Sequence, residues 1–178
     1  IGVNGKAVIT YKKPNVGKAY PVKYLPSSDE FNTKTLGMQW GWNHNPDDEK
    51  WSLSKRNGYL RLMTSGIAND FKMARNTLTQ RPFAKHDQNI PTTASTKTDI
   101  THIQDGDIAG LALFQDPYAF IAVKKVNGKS YVIMVNNGKT VDSVLINQST
   151  VYLKTVASNT TGKASFAYSF DNKNFTTI

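Results

Sequence analysis

The chain has 178 residues, enough for one domain that removes roughly 70% of its unfolded surface from water, and its 39% hydrophobic and 11% aromatic content fits a folded core. It has no cysteine, which excludes disulfides, thiolate metal sites and cysteine nucleophiles, and no run approaches the roughly 20 apolar residues of a membrane helix. A net charge of +9 raises the question of a nucleic-acid partner, yet the densest basic runs are only Lys12-Lys13 and Lys124-Lys125, so neither a nucleic-acid nor a membrane partner is expected.

Ile1 opens the chain with neither a start methionine nor a charged-then-apolar leader, which suggests a mature product or, preferably, a fragment of a longer protein. Residues 1–27 hold Pro14, Pro21 and Pro26 without periodicity and read as a linker or arm leaving a preceding domain. The domain proper is expected over 28–178, with Asp29 and Glu30 opening its first core strand. Next comes LGMQWGWNHNPDDEKWSL, residues 36–53, which contains all three tryptophans. On a strand, Met38, Trp40, Trp42 and His44 would share one face, and Gln39, Gly41, Asn43 and Asn45 the other. Two readings stay open here: the tryptophans are core, or at least one lies under the apolar C–H face of a sugar ring. Asp47-Asp48-Glu49 follows Pro46 and reads as a solvated turn.

A strand is expected over 58–63. FKMARNTLTQR, residues 71–81, is expected as a strand carrying Arg75 and Gln80, and 91–98 as a loop or a polar strand. Further β-rich runs cover 108–114, 120–126, 131–135, 151–156 and 164–170. Between the runs lie the turn pairs Asn57-Gly58, Asp116-Pro117, Asn127-Gly128, Asn137-Gly138 and Asp171-Asn172. Asn127-Gly128 is the strongest hairpin signal. Many short strands at even spacing predict an all-β fold, an antiparallel β-sandwich of the jelly-roll kind.

Signals for catalysis are missing. The two glutamates, Glu30 and Glu49, have no partner acid at alternate strand positions, as a sandwich glycosidase would need. His44, His86 and His102 lack the spacing that offers zinc two imidazoles from one element. No G-x-S-x-G elbow is present, and Gly106, Gly110 and Gly128 make no phosphate loop. The polar groups able to pair with sugar hydroxyls are Asn43, Asn45, Arg75, Gln80, Arg81 and Gln115. Asp29, Glu30 and Asp171 could supply hard oxygen ligands for one structural calcium ion where first and last strands meet, or be plain surface acids.

SSDEFN, LGMQWGWNHNPDDEKWSLSKRNGYLRL, ARNTLTQR and DGDIAGLALFQDPYAFIAVKK, in this order, resemble the C-terminal β-sandwich appended to β-xylosidases and arabinofuranosidases of glycoside hydrolase family 43. The resemblance runs from about residue 28 to 178. It implies a concanavalin A-like fold, also classed as carbohydrate-binding module family 91, that binds xylan or xylo-oligosaccharides and has no catalytic residues of its own. The matched positions implied to bind sugar are Trp40, Trp42, Asn43, Asn45, Trp51, Arg75, Gln80 and Arg81. The alternative it implies is a structural domain that buttresses the catalytic propeller and shapes its active-site entrance. Domains of this kind continue past SFDNKNF, so the chain is expected either to lack its last strands or to receive them from a separate C-terminal segment.

Overall fold

Short β-rich runs in the second half of the chain become strands of two antiparallel sheets in the computed structural model. It describes residues 26–81, 90–158 and 160–178, with single positions at 12, 14, 15, 17, 18 and 21. The expected arm over 1–27 and His86 lie almost wholly outside the described residues.

In chain order the strands are β1 (Trp40–Trp42), β2 (Trp51–Ser52), β3 (Arg61–Leu62), β4 (Leu78–Gln80), β5 (Thr92–Asp99), β6 (Ile108–Leu113), β7 (Ala119–Val126), β8 (Lys129–Asn136), β9 (Lys139–Ile146), β10 (Thr150–Ala157), β11 (Ala164–Ser169) and β12 (Thr176–Thr177). One four-stranded sheet runs β12-β11-β10-β5 and the other β6-β7-β8-β9; β1 with β4 and β2 with β3 make two short ribbons. Asn127-Gly128 and Asn137-Gly138 close the β7–β8 and β8–β9 hairpins. Both residues of each pair have positive φ, at 50° and 75° and at 46° and 78°, the backbone that matches a two-residue turn to strand twist.

The core lies between the two large sheets. Ile121, Val123, Val132 and Ile146 meet Val151, Leu153 and Phe166, with Ile100 at the side. Burying such aliphatic side chains stabilises by about 1.5–3 kcal/mol each. Sheet β6–β9 is also apolar on its other face, where Ala122, Ile133 and Val135 are buried beside Phe120 and Tyr131. The residues before β5 cover one end of that face. Phe71, in a 3₁₀ turn over Phe71–Met73, sets its ring 5.3 Å from Phe120, 5.4 Å from Tyr118 and 5.3 Å from Phe114. Lys72 reaches Asp116 at 3.8 Å. At the end of β5, Arg56 pairs with Asp99 while its guanidinium lies 3.7 Å over the Tyr59 ring.

Several expected strands are shorter than the sequence suggests. Over 58–63 only Arg61–Leu62 pairs, because Gly58 has φ 76° and Tyr59 N–H bonds back to the Arg56 carbonyl. FKMARNTLTQR is not one strand: it is the 3₁₀ turn, a bend through Asn76 at φ 55°, then β4. In the tryptophan stretch pairing is confined to Trp40–Trp42 and Trp51–Ser52, and Asp29 and Glu30 precede it outside any strand. The polar run 92–99 is a strand. β9 was not predicted at all: it is an edge strand, exposed along most of its length, with a register shift opposite Met134 and Val135 that breaks its alternation.

Candidate functional site

Each tryptophan is half-buried, and each solves the problem of its indole N–H differently. Trp40 donates to Asp29 Oδ2 at 2.8 Å and stacks on Phe31 with centroids 5.7 Å apart. Trp51 donates to Asp48 Oδ1 at 3.0 Å and meets Trp42 at 5.2 Å, tilted by 55°. Among the described residues Trp42 has no partner for its N–H, which stays in reach of solvent.

The loop after β1 is fixed by hydrogen bonds to the loop before β4. Asn43 N–H donates to the Thr77 carbonyl at 3.0 Å, and Asn43 Nδ2 to the Lys72 carbonyl at 3.0 Å. His44 Nε2 lies 2.7 Å from the same oxygen, an arrangement that calls for a protonated Nε2. Buried Asn76 clamps Asp47, accepting from its N–H at 2.8 Å and donating to its carbonyl at 3.3 Å. Asn tolerates the left-handed backbone needed there. Asp47 also accepts from Ser65 Oγ at 2.8 Å and caps the 3₁₀ turn Asp48–Lys50 through Glu49 N–H. The acids 47–49 are therefore not merely a solvated turn. Asp47 and Asp48 position the tryptophan loop, and the signal for this was an indole that needed an acceptor.

Of the predicted sugar-binding groups, the structure brings Trp42, Trp51, Asn43 and Asn45 onto one loop system. Asn43 has its Oδ1 left over, and exposed Asn45 makes no bond to another described residue. Trp40 is committed to Asp29 and Phe31. Gln80, opposite Trp40 in the β1–β4 ribbon, donates to the Pro26 carbonyl at 3.4 Å. Arg75 lies exposed in the bend, Arg81 exposed just past β4, and Gln115 exposed in the loop after β6.

Of the expected calcium ligands, Glu30 is exposed, and Asp29 and Asp171 already accept hydrogen bonds. The Asp29 carboxylate accepts from Phe31 N–H, Gln39 Nε2 and Trp40 Nε1 at 2.8, 3.1 and 2.8 Å. Asp171 accepts from Lys173 N–H and Asn174 N–H, both at 2.8 Å, from Asn174 Nδ2 at 2.7 Å and from Ser169 Oγ at 2.8 Å. Those donors, the Asn174 and Lys173 backbone N–H first, hold its carboxyl well below the usual range. These donors compete with a metal for the carboxylate lone pairs, and no cluster of three or more His, Asp or Glu able to hold one occurs among the described residues.

A family model described as the β-xylosidase C-terminal concanavalin A-like domain matches residues 28–178. The chain belongs to this family. A β-xylosidase of Formosa agariphila is 34% identical over 96% of this chain and 31% of its own length. Among solved structures, a bifunctional GH43-CE protein of Bacteroides eggerthii superposes with a TM-score of 0.77 at 40% identity, over 84% of this chain and 20% of that one. A GH43 protein of Bacillus licheniformis gives 0.74 at 27% identity, over 88% and 30%. The chain thus spans less than a third of each of these relatives. This β-xylosidase C-terminal domain is an accessory, non-catalytic part of the GH43 architecture, and the all-β antiparallel sheets fit its concanavalin A-like fold.

Proposed function

We propose that this domain holds a xylan or xylo-oligosaccharide chain for a β-xylosidase-type enzyme, with Trp42 and Trp51 as its apolar contact and Asn43 and Asn45 as its hydrogen-bonding groups. The observation that carries this reading is that Trp42 keeps its indole N–H unpaired beside Trp51, while its neighbours' N–H groups are used internally. Such a ring can both cover a pyranose face and donate to a hydroxyl. Xylan as ligand is supported by the β-xylosidase relative.

Titration calorimetry with xylohexaose, with a cellulose oligomer of equal length as control, tests it. Saturable, xylan-selective heat is expected, and Trp42→Ala should weaken binding by about 1–3 kcal/mol. Silence from a folded sample, or wild-type affinity in Trp42→Ala, sinks the reading.

A second reading is favoured by a different observation. Met38, Ile67 and Met73 are exposed on the layer that precedes β5. Apolar side chains as exposed as these suit a surface that buttresses a catalytic propeller and shapes its entrance. That reading predicts no sugar binding by the domain alone, and weaker association with a separately produced catalytic part after Ile67→Asp.

A further inference from the structure

The outer face of sheet β6–β9 has one covered end and one open end. Phe120, paired with Ala112 and Val135, lies under Phe71. Two pairs further along β7, Lys124 stands between Ile108 and Tyr131, and Tyr131 faces Leu145. At this end, among the described residues, the sheet is open: Ile108 is 49% and Leu145 53% exposed. Between the two ends Gly110 pairs with Ala122, and a Cβ on Gly110 would fall 2.5 Å from Ala122 Cα, so the floor there carries almost no side chain.

A shallow hollow of about 270 Å³ opens at this end, lined by Lys124, Val126, Tyr131, Ile133, Thr140 and Ser143. Val126, Ile133 and the Tyr131 ring make it apolar. The Lys124 ammonium and the Tyr131, Thr140 and Ser143 hydroxyls supply polar heads, and none of the four has a side-chain partner among the described residues. A surface lysine needs no partner, but three hydroxyls and an ammonium around one apolar floor is the composition of a ligand site. No acid lines the hollow, so its charge is positive.

We infer that this hollow is a binding site for a sugar bearing a uronic acid. The apolar floor accepts the C–H face of a pyranose, the three hydroxyls pair with sugar hydroxyls, and Lys124 takes the carboxylate. Among the described residues Lys124 is the one charged residue lining the hollow, so a uronic carboxylate complements its charge, whereas a polyphosphate would leave the floor unused. The site shares no residue with the Trp42–Trp51 pair and stands whether or not that pair binds sugar.

The test is a calorimetric comparison, on the intact protein, of xylotetraose carrying one glucuronic acid with unsubstituted xylotetraose. The acid-bearing oligosaccharide should bind roughly 3- to 5-fold more tightly, the worth of one solvent-accessible ion pair. That preference should vanish in Lys124→Gln, persist in Lys124→Arg and shrink as salt rises from about 0.05 to about 0.5 M. In Trp42→Ala the preference should survive whatever the overall affinity, which keeps failure of the tryptophan site distinct from failure of this one. Equal affinities for the two sugars in the wild-type protein, or an undiminished preference in folded Lys124→Gln, would overturn the inference. If Lys124→Gln does not fold, the salt dependence and Lys124→Arg still decide it.

Discussion

An indole that is only half-buried still has to place its N–H, and the aspartates that do so for Trp40 and Trp51 separate these rings from Trp42. The same reasoning applies in reverse to Thr155. Its side chain is 1% exposed in the core and its hydroxyl has no partner among the described residues. Thr155→Val keeps the shape and removes that unsatisfied group, so it should stabilise the fold by about 1 kcal/mol, seen as a rise of about 3 °C in melting temperature. Asp99 is the opposite case, a carboxylate fully served. Arg56 first, then the Thr101 hydroxyl and N–H, hold its pKa well below the ordinary carboxylate value. A depressed folded-state pKa means stability that is present above the unfolded value near 4 and is lost as pH falls toward the folded one. Asp99→Asn should therefore melt below wild type at neutral pH, with the gap narrowing progressively below about pH 4. A gap that stays constant with pH would show that the pair with Arg56 contributes through packing alone.

At the scale of elements, the strands that were legible are those buried on at least one face. β7 and β8 read as near-continuous apolar runs because both faces of their sheet are apolar, β10 alternates because one face meets the core, and the two Asn-Gly pairs mark where the chain reverses. β5 is polar at nearly every position, yet Thr96 and Thr98 pair opposite Leu153 and Val151, so its threonine methyl groups serve where aliphatic residues were expected. β9 carries no such signal, since an edge strand needs only backbone pairing on one side. The tryptophan stretch failed as a long strand for a different reason. Side-chain and backbone bonds to Asp29, Asp47 and Asn76 hold loops on either side of it, and these bonds compete with ladder pairing.

For the whole molecule, the decisive feature is a sheet that is apolar on both faces. One face makes the sandwich core; the other needs a second cover, and the layer before β5 provides it through Phe71. Phe71→Ala should cost about 2 kcal/mol, less than the 3–5 of a fully buried ring. Hydrogen exchange locates the loss: amides of residues 40–80 should exchange faster while β7, β8 and β10 keep their protection. A uniform rise across all strands would mean that layer and sandwich unfold as one unit. Among the described residues the same partial cover leaves the far end of the face open, which is where the hollow beside Lys124 lies.

From the sequence alone came the all-β class, most strand positions, the hairpin turns and the family, because period-two alternation, Asn-Gly turns and ordered motifs are properties of neighbouring residues. The tertiary structure alone decided which tryptophan keeps a free N–H, that Asp47 and Asp48 organise a loop, that Asp29 and Asp171 are filled by N–H donors, and which end of sheet β6–β9 stays open. Each of these depends on which distant residue arrives to satisfy a donor or cover a face, and no local pattern encodes that arrival.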